Sequence, residues 1–461
     1  MASTYLSRTP ASAGNQKTFT TSFWVKRATG TIANGDFDSS NYILSYVAQS
    51  GTPRGAIWLS DTGGLSWGCN PSGSVWEPES NVQLNGTTVL FRDPSAWYHI
   101  VFAVDTTQAT ASDRLKCWVN GVQYSMSAYP AQNLDTGYNY THIHNIGRYA
   151  SGGTGYSSFL MSHFHQIDGT AYDASAFGET DATTGIWKPK TAPSVTYGTN
   201  GFFLKFENSG SMGLDSSPNG NNFTVNGSLT QTVDTPSNVF CTMNPLDNKW
   251  MNGTFSNGNL TVATSSAEYG YNTGTLGASS GKFYWEMKLI QPVSGTNYVA
   301  VGIAGRHPYD TEGLGYRADA VAYHGYDGQK RVNGSTSSYG DTWTTNDIIG
   351  IAMDLDNSKL YFSKNGTWQN SGDPESGATG TGAISITAVE STEAGFYFPA
   401  VSDHAGSSWT NAIFSFNFGN GYFGTTPVSS ATTDESGLGI FEYTVPSGYY
   451  ALCTKNINTQ G

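Results

Sequence analysis

Charge is what this chain has least of. Only 12% of its 461 residues are Asp, Glu, Lys or Arg, and Lys+Arg 22 against Asp+Glu 35 leave a formal net charge of -13. No basic run or stripe occurs, which argues against nucleic acid as a partner, because phosphate neutralisation needs clustered Lys or Arg. Cysteine is scarce as well. Cys69, Cys117, Cys241 and Cys453 lie far apart with no C-x-x-C pair, so neither a disulfide framework nor a cysteine zinc site is expected. No apolar run approaches the ~20 residues of a membrane span, which predicts no membrane insertion. The start "MASTYLSRTP" has neither the basic nor the apolar region of a secretory signal, so export by that route is not expected. A helical stripe of ten or more residues and a coiled-coil heptad are missing too.

What remains is the material of sheets. Gly 55 and Pro 17 exceed what long helices tolerate, and 13% of the residues are aromatic, which suits pleated surfaces joined by many turns. Short alternating segments recur: "FTTSFWVKR" (19 to 27), "WYHIVFAVD" (97 to 105), "GKFYWEMKLI" (281 to 290), "NYVAVGIAG" (297 to 305) and "NAIFSFNFG" (411 to 419). In the last, Phe414, Phe416 and Phe418 share one face, the core face. Residues 208 to 238, rich in Asn, Ser, Gly and Thr, mark a boundary region. The expected fold class is all-β, with two tandem antiparallel β-sandwiches, each burying one aromatic face against the other.

The segment "DLDNSKLYFSKNGTW" (354 to 368) is the loudest hint of chemistry. Asp354, Asp356 and Asn357 lack the positional series and terminal Glu of an EF-hand loop, and Asn365-Gly366 is a strong hairpin signal. The segment therefore reads as strand, turn and hairpin, matched by "DRLKCWVNG" ending in Asn120-Gly121.

"GKFYWEMKL", "YVAVGIAG", "GDTWTTNDIIGIAMDLDNSKLYFSKNGTW", "GFYFPAVS" and "FSFNFG", in that order, resemble the SPRY domain family over about residues 255 to 422. That family is a bent β-sandwich used for protein recognition, with the Asp-Leu-Asp and Asn-Gly positions shaping hairpins. The first half, through "FTTSFWVKR", "WYHIVFAVD" and "RLKCWVNGVQY", resembles a concanavalin A-like, laminin-G-type lectin jelly roll. "HFHQIDGTAYDASAFGETDATTGIWKPK", "DTPSNVFCTMNPL" and the closing "PSGYYALCTKNI" (446 to 457) resemble proteins of tailed bacteriophages. The organisation expected is residues 1–225 lectin-like, 226–254 linker, 255–425 SPRY-like and 426–461 a C-terminal closing segment.

The resemblance implies a non-enzymatic virion protein, a tail fibre or adhesin that attaches to host-surface glycan or protein and contacts other virion proteins. It further implies a homo-oligomer, a trimer by analogy with phage fibres. The alternatives are a purely architectural head decoration or head-fibre protein and, more weakly, a glycan hydrolase. For hydrolysis a pair of carboxylates about 5 to 5.5 Å apart is needed. The nearest cluster, Glu179 and Asp181, lies among turn residues. Loop residues expected to bind are Trp76, Tyr138 and Tyr140 in the first domain and Tyr323, Tyr326 and Arg331 in the second. Cofactors are not expected, calcium excepted, for which Asp105 and Asp168 are the rim residues to inspect. The pairs His142/His144 and His163/His165 could each offer two ligands on a strand face but read better as satisfied sheet histidines, and His99 as a packed one. Asn85, Asn252 and Asn365 stand in "NGT" triplets read as turns rather than glycosylation sites.

Overall fold

The computed structural model describes residues 4–28, 41–48, 53–60, 62–71, 76–149, 155–182, 185–248, 251–264, 269–292, 298–308, 312–404 and 411–461. Residues 72–75 of the expected Trp76 loop, 249–250 of the expected linker and 297 of one expected strand lie outside them. The chain divides into two units, Met1–Gln231 and Thr232–Gly461. Both are built of antiparallel sheet, as the alternation predicts.

In the first unit one antiparallel path runs through Phe159–Asp168, Thr18–Arg27, Trp97–Asp105, Leu115–Val119, Val122–Met126, Glu79–Leu84, Leu65–Asn70, Arg54–Leu59 and Asn41–Val47. Its two halves share one core. Phe19, Phe23, Val25, Ile100, Phe102 and Val104 from one half meet Leu44, Tyr46, Ile57, Leu59, Leu65 and Trp67 from the other. The opposite face of Thr18–Arg27 is buried as well, because residues around Ala174, Phe177, Trp187 and Tyr197 fold back over it. His99 sits there as a packed residue. Its ring stacks on Trp24 at 4.8 Å, Nδ1 accepts from Trp187 Nε1 at 2.9 Å, and Nε2 lies 2.9 Å from Ser22 Oγ.

The second unit has two principal sheets. One contains Thr261–Ala263, Ile413–Asn417, Lys282–Gln291, Ile348–Asp354 and Lys359–Lys364; the other contains Tyr269–Thr273, Phe398–His404, Val299–Ala304, Ala320–His324, Gln329–Val332 and Ser335–Ser338. Trp285, Met287, Ile351, Phe414, Phe416 and Phe418 of the first sheet and Val301, Ile303, Val321, Tyr323 and Val401 of the second form a single core. The segment at 354 to 368 turns the chain as its residues dictate. Asp354 accepts from Asn357 N at 3.0 Å and Asp356 accepts from Gly281 N at 2.7 Å. Asn365 Oδ1 accepts from Ile348 N at 2.9 Å, and in the first unit Asn120 Oδ1 accepts from His99 N at 2.8 Å, so one hairpin device is used twice.

Two expected boundaries move. Residues 232–248 belong to the second unit rather than to a linker: Phe240, Cys241 and Met243 are buried, and Cys241 N donates to Leu452 O at 3.0 Å. Polar composition there concealed these three apolar residues, while Leu246 of the same stretch stays exposed. The C-terminal segment does more than close the chain. Tyr450–Ala451 pairs in parallel with Lys282–Gln291, and Phe441, Tyr449, Ala451 and Cys453 pack on Tyr284, Ala352 and Tyr361. Both faces of the first sheet are thereby covered. Beneath the segment lies Glu286, fully buried, accepting from Tyr284 Oη at 3.1 Å, Asn417 Nδ2 at 3.1 Å, Glu442 N at 2.9 Å and Tyr443 N at 2.8 Å.

Burial sets opposite pH responses in the two units. In the first it pushes His99 down to about 3 and His144 down to about 4, so between there and about 6.5 the unfolded chain holds more protons and stability rises with pH. In the second, burial pushes Glu286 and Asp403 each up to about 7, so from about 4 to 7 the folded unit holds more protons and stability falls as pH rises. Calorimetry across this range should show the first unit's transition moving up with pH and the second's moving down. Glu286→Gln should flatten the second trend while costing roughly 1–3 kcal/mol, because an amide nitrogen cannot accept from the surrounding donors.

Candidate functional site

The six-stranded sheet of the second unit leaves its outer face to small residues. Strand register fixes which they are: Ala300 stands between Ser402 and His324, while Gly302 stands between Ala400 and Ala322, which is followed by Arg331. Alternation sends these side chains outward and Val301, Ile303, Val321 and Tyr323 inward. The loop carrying Leu314 lies directly on this floor. Gly315, at φ +86°, comes so near that a Cβ would stand 2.7 Å from Arg331 O and 3.1 Å from Ala322 Cβ, which only glycine permits.

Beside that loop opens a cavity of about 190 Å³, lined by Tyr298, Ala300, Leu314, Tyr316, His324, Tyr326, Arg331 and Ser402 among others. Its rim is aromatic. Tyr298 meets Tyr326 edge-on at 4.5 Å, His324 stacks with Tyr326 at 5.9 Å, and the Arg331 guanidinium lies 4.4 Å from the Tyr316 ring centre. Tyr316 and Tyr326 are 42% and 40% exposed, whereas His324 is buried. His324 Nδ1 and Arg331 Nε are buried without a hydrogen-bond partner among the described residues. Asp327 Oδ1 stands 3.6 Å from that Nδ1, beyond hydrogen-bond reach. Desolvation, seconded by Arg331, pushes His324 down to about 4 against the pull of Asp327, so the ring is neutral near pH 7. The site therefore combines an apolar floor, aromatic walls, one fixed cation and three buried polar atoms without a hydrogen-bond partner among the described residues, His324 Nδ1, Arg331 Nε and Asp403 Oδ1. It can receive a compact apolar group carrying a hydrogen-bond acceptor.

Of the residues expected to bind, only Tyr326 and Arg331 meet in this cavity. Tyr323 is buried on the core face among Tyr339, Trp343 and Phe362, since it neighbours His324 in sequence and so points the other way. Tyr138 is likewise buried, against Phe19, Tyr46 and Trp67 in the first unit's core. Both were expected as exposed loop rings. Trp76 and Tyr140 are half-buried in the first unit, Trp76 against Trp58 at 5.5 Å and Tyr140 against His142 at 4.7 Å. Tyr298, Tyr316 and His324 were missed; the outward register of Ala320–His324 was the signal for His324, and nothing in the local pattern marked Tyr298.

The expected metal residues serve as turn acceptors. Asp168 accepts from Asn15 N at 2.6 Å and Asn200 N at 2.9 Å, and Asp105 from Thr107 Oγ1 and Gln108 Nε2, each at 2.6 Å. Among the described residues no three His, Cys, Asp or Glu gather to hold an ion. A bulge between Ser162 and His165 breaks the expected common face of His163 and His165. Glu179 and Asp181 share Lys188, at 3.8 and 2.8 Å.

Comparison with known proteins agrees with this architecture. Residues 282–420 match the SPRY domain family. Ran-binding protein 9 of Danio rerio is 30% identical over 95 residues, 20% of this chain and 16% of its own length. A Drosophila melanogaster homolog of Ran-binding proteins 9/10 is 31% identical over 91 residues, 19% of this chain and 9% of its own. The chain thus spans about a sixth or less of these relatives. The crystal structure of the SPRY domain of human HERC1 is similar with 19% identity and a TM-score of 0.31, covering 38% of this chain and 96% of that one. SPRY domains are non-catalytic interaction modules.

These findings overturn the phage reading. The relatives are animal proteins, Ran-binding proteins 9 and 10 and their homologs, and none is a virion component. The tail-fibre, adhesin and head-decoration roles, the virion location, the contacts with virion subunits or host-surface glycan, and the fibre-like trimer all fall with it. Glycan hydrolysis falls as well, its nearest carboxylates being tied to one lysine. The physical reason is plain in the stretch that carried the resemblance. His165, Asp168 and Asp173 there are a buried ring, a turn acceptor and a helix cap, residues that report a fold and not a biological setting. In an NMR titration the His324 ring resonances should move with a midpoint near 4 and stay flat through neutrality; a midpoint near 6.5 would contradict the burial described.

Proposed function

We propose that the second unit is a docking module for a short segment of another protein, received in the cavity bounded by Tyr298, Tyr316, Tyr326 and Arg331. The observation that carries the reading is the pairing of an apolar floor with two buried nitrogens, His324 Nδ1 and Arg331 Nε, that have no hydrogen-bond partner among the described residues. A segment presenting a small aliphatic side chain next to a carbonyl or carboxylate would cover the floor and satisfy both. The other sheet supports the same choice by elimination, because the chain's own C-terminal segment occupies its outer face. The match to an interaction family points the same way.

For the first unit we infer a concanavalin A-like jelly roll. Its support is the unbroken antiparallel path whose two halves close on one core. No ligand is assigned to it.

Selection of a yeast-displayed random peptide library on the intact chain should enrich one motif, bound with a Kd on the order of micromolar. Arg331→Glu and Tyr326→Ala should each weaken it at least about tenfold, as loss of an anchor does. Failure to enrich a motif, or one indifferent to both substitutions in folded protein, would sink the proposal.

A further inference from the structure

The sequence contains eleven Asn-Gly pairs, and Asn34-Gly35 lies outside the described residues. The other ten differ sharply in what holds them. Six have the Asn side chain tied by a hydrogen bond: Asn120, Asn200, Asn219, Asn226, Asn257 and Asn365. Three have the glycine N–H engaged, Gly253 and Gly421 by Asn side chains and Gly334 by Gly315 O. Asn85-Gly86 has neither. Asn85 is exposed at φ +52°, and among the described residues no hydrogen bond to its side chain or to Gly86 N is present and nothing lies within 4 Å of where a Gly86 Cβ would be. The hairpin that carries it is also short, since Thr87–Thr88 pairs with Glu79–Leu84 at Gln83↔Thr88 and Leu84↔Thr87, with one further bond from Val89 N to Val82 O at 3.0 Å.

From this we infer that Asn85 is the leading site, among the described residues, of spontaneous modification to aspartate and isoaspartate. The Gly86 nitrogen attacks Asn85 Cγ. A new C–N bond closes a five-membered succinimide, the Cγ–Nδ2 bond breaks, and Nδ2 leaves as ammonia with the proton given up by Gly86. Water then opens the ring at either carbonyl. Attack needs the turn to leave its resting geometry, and that motion breaks no bond of the Asn85 side chain or Gly86 N–H, whereas at the other described pairs it first breaks a hydrogen bond. The products matter locally: both add a negative charge at an exposed tip, and isoaspartate in addition routes the main chain through an extra methylene that the two-residue turn cannot keep in register.

The test is prolonged incubation of the intact chain in mildly alkaline buffer, followed by peptide mapping with mass spectrometry and enzymatic methylation of isoaspartate. Conversion at Asn85 should outrun every other described Asn-Gly pair by about tenfold, the factor one hydrogen bond's net worth corresponds to. In denaturant the sites should converge, because the sequence step is the same for all. Thr261→Val, which removes the partner of Asn257 Nδ2, should raise conversion at Asn257 and leave Asn85 unchanged. Equal rates in the folded chain, or another described site leading, would overturn the inference.

Discussion

The second unit is organised around one buried carboxylate. Glu286 sits in the middle of the Lys282–Gln291 strand, on the face opposite Trp285 and Met287, where a half-solvated sheet would expose it. Here it takes four hydrogen bonds, two of them from the backbone of Glu442 and Tyr443. An isolated carboxylate at that depth would be several kcal/mol unfavourable, so the donors are a condition of its presence. The C-terminal segment must therefore be seated for the sheet to be stable, and Tyr284, Tyr361, Phe441 and Tyr449 then complete a second, outer core. Asp434 fixes the segment internally by accepting from Leu438 N, Gly439 N and Ala451 N at 2.8–3.0 Å.

That arrangement decides where binding can take place. With one sheet covered on both sides, the cavity lies instead at the outer face of the six-stranded sheet, beside the loop that carries Leu314 and covers part of that face. Evolving a large apolar residue there would demand its own cover, and the strands instead carry Ala300, Gly302, Ala322, Ala400 and Ser402. Small residues let the Gly313–Tyr316 loop lie flat and leave a hollow beside it. Rings at the rim and unsatisfied nitrogens within make the hollow selective, because a ligand lacking acceptors would leave those nitrogens dry.

Fold was readable from alternation because strand faces impose a period of two that solvent exposure reveals. Phe414, Phe416 and Phe418 fall on one face, and the structure buries all three. Alternation says less where both faces are covered, and this hid the role of Tyr284 and Glu286. It also misled at the site. Tyr323 and Tyr326 look alike as aromatic residues near a turn, yet one lies inside a strand with its ring in the core and the other beyond the strand's end at the rim. Tyr138 is a similar case: it sits in a segment without strand character, in a polar stretch, and is nonetheless central to the first core. The cavity itself joins residues from 298 to 403, and such a meeting is set by tertiary register, which no local pattern encodes.

The acidic balance of the chain takes on a different meaning in this light. A net charge of -13 ordinarily argues for a strong field at the surface. Here many of the carboxylates are consumed by the backbone. Asp168, Asp215 and Asp434 are buried and accept from main-chain N–H groups, Asp354 and Asp373 cap turns, and Glu286 holds the C-terminal segment. A chain with few helices and many irregular connections has numerous N–H groups outside regular ladders, and Asp and Asn are the short acceptors that can reach them. The excess of acid is thus largely a structural requirement of loops. Those hydrogen bonds fix where the carboxylates sit and leave the net charge as it is, and the proposed recognition at the cavity would rest on the groups that line it: Arg331, His324, Asp403 and the three tyrosines.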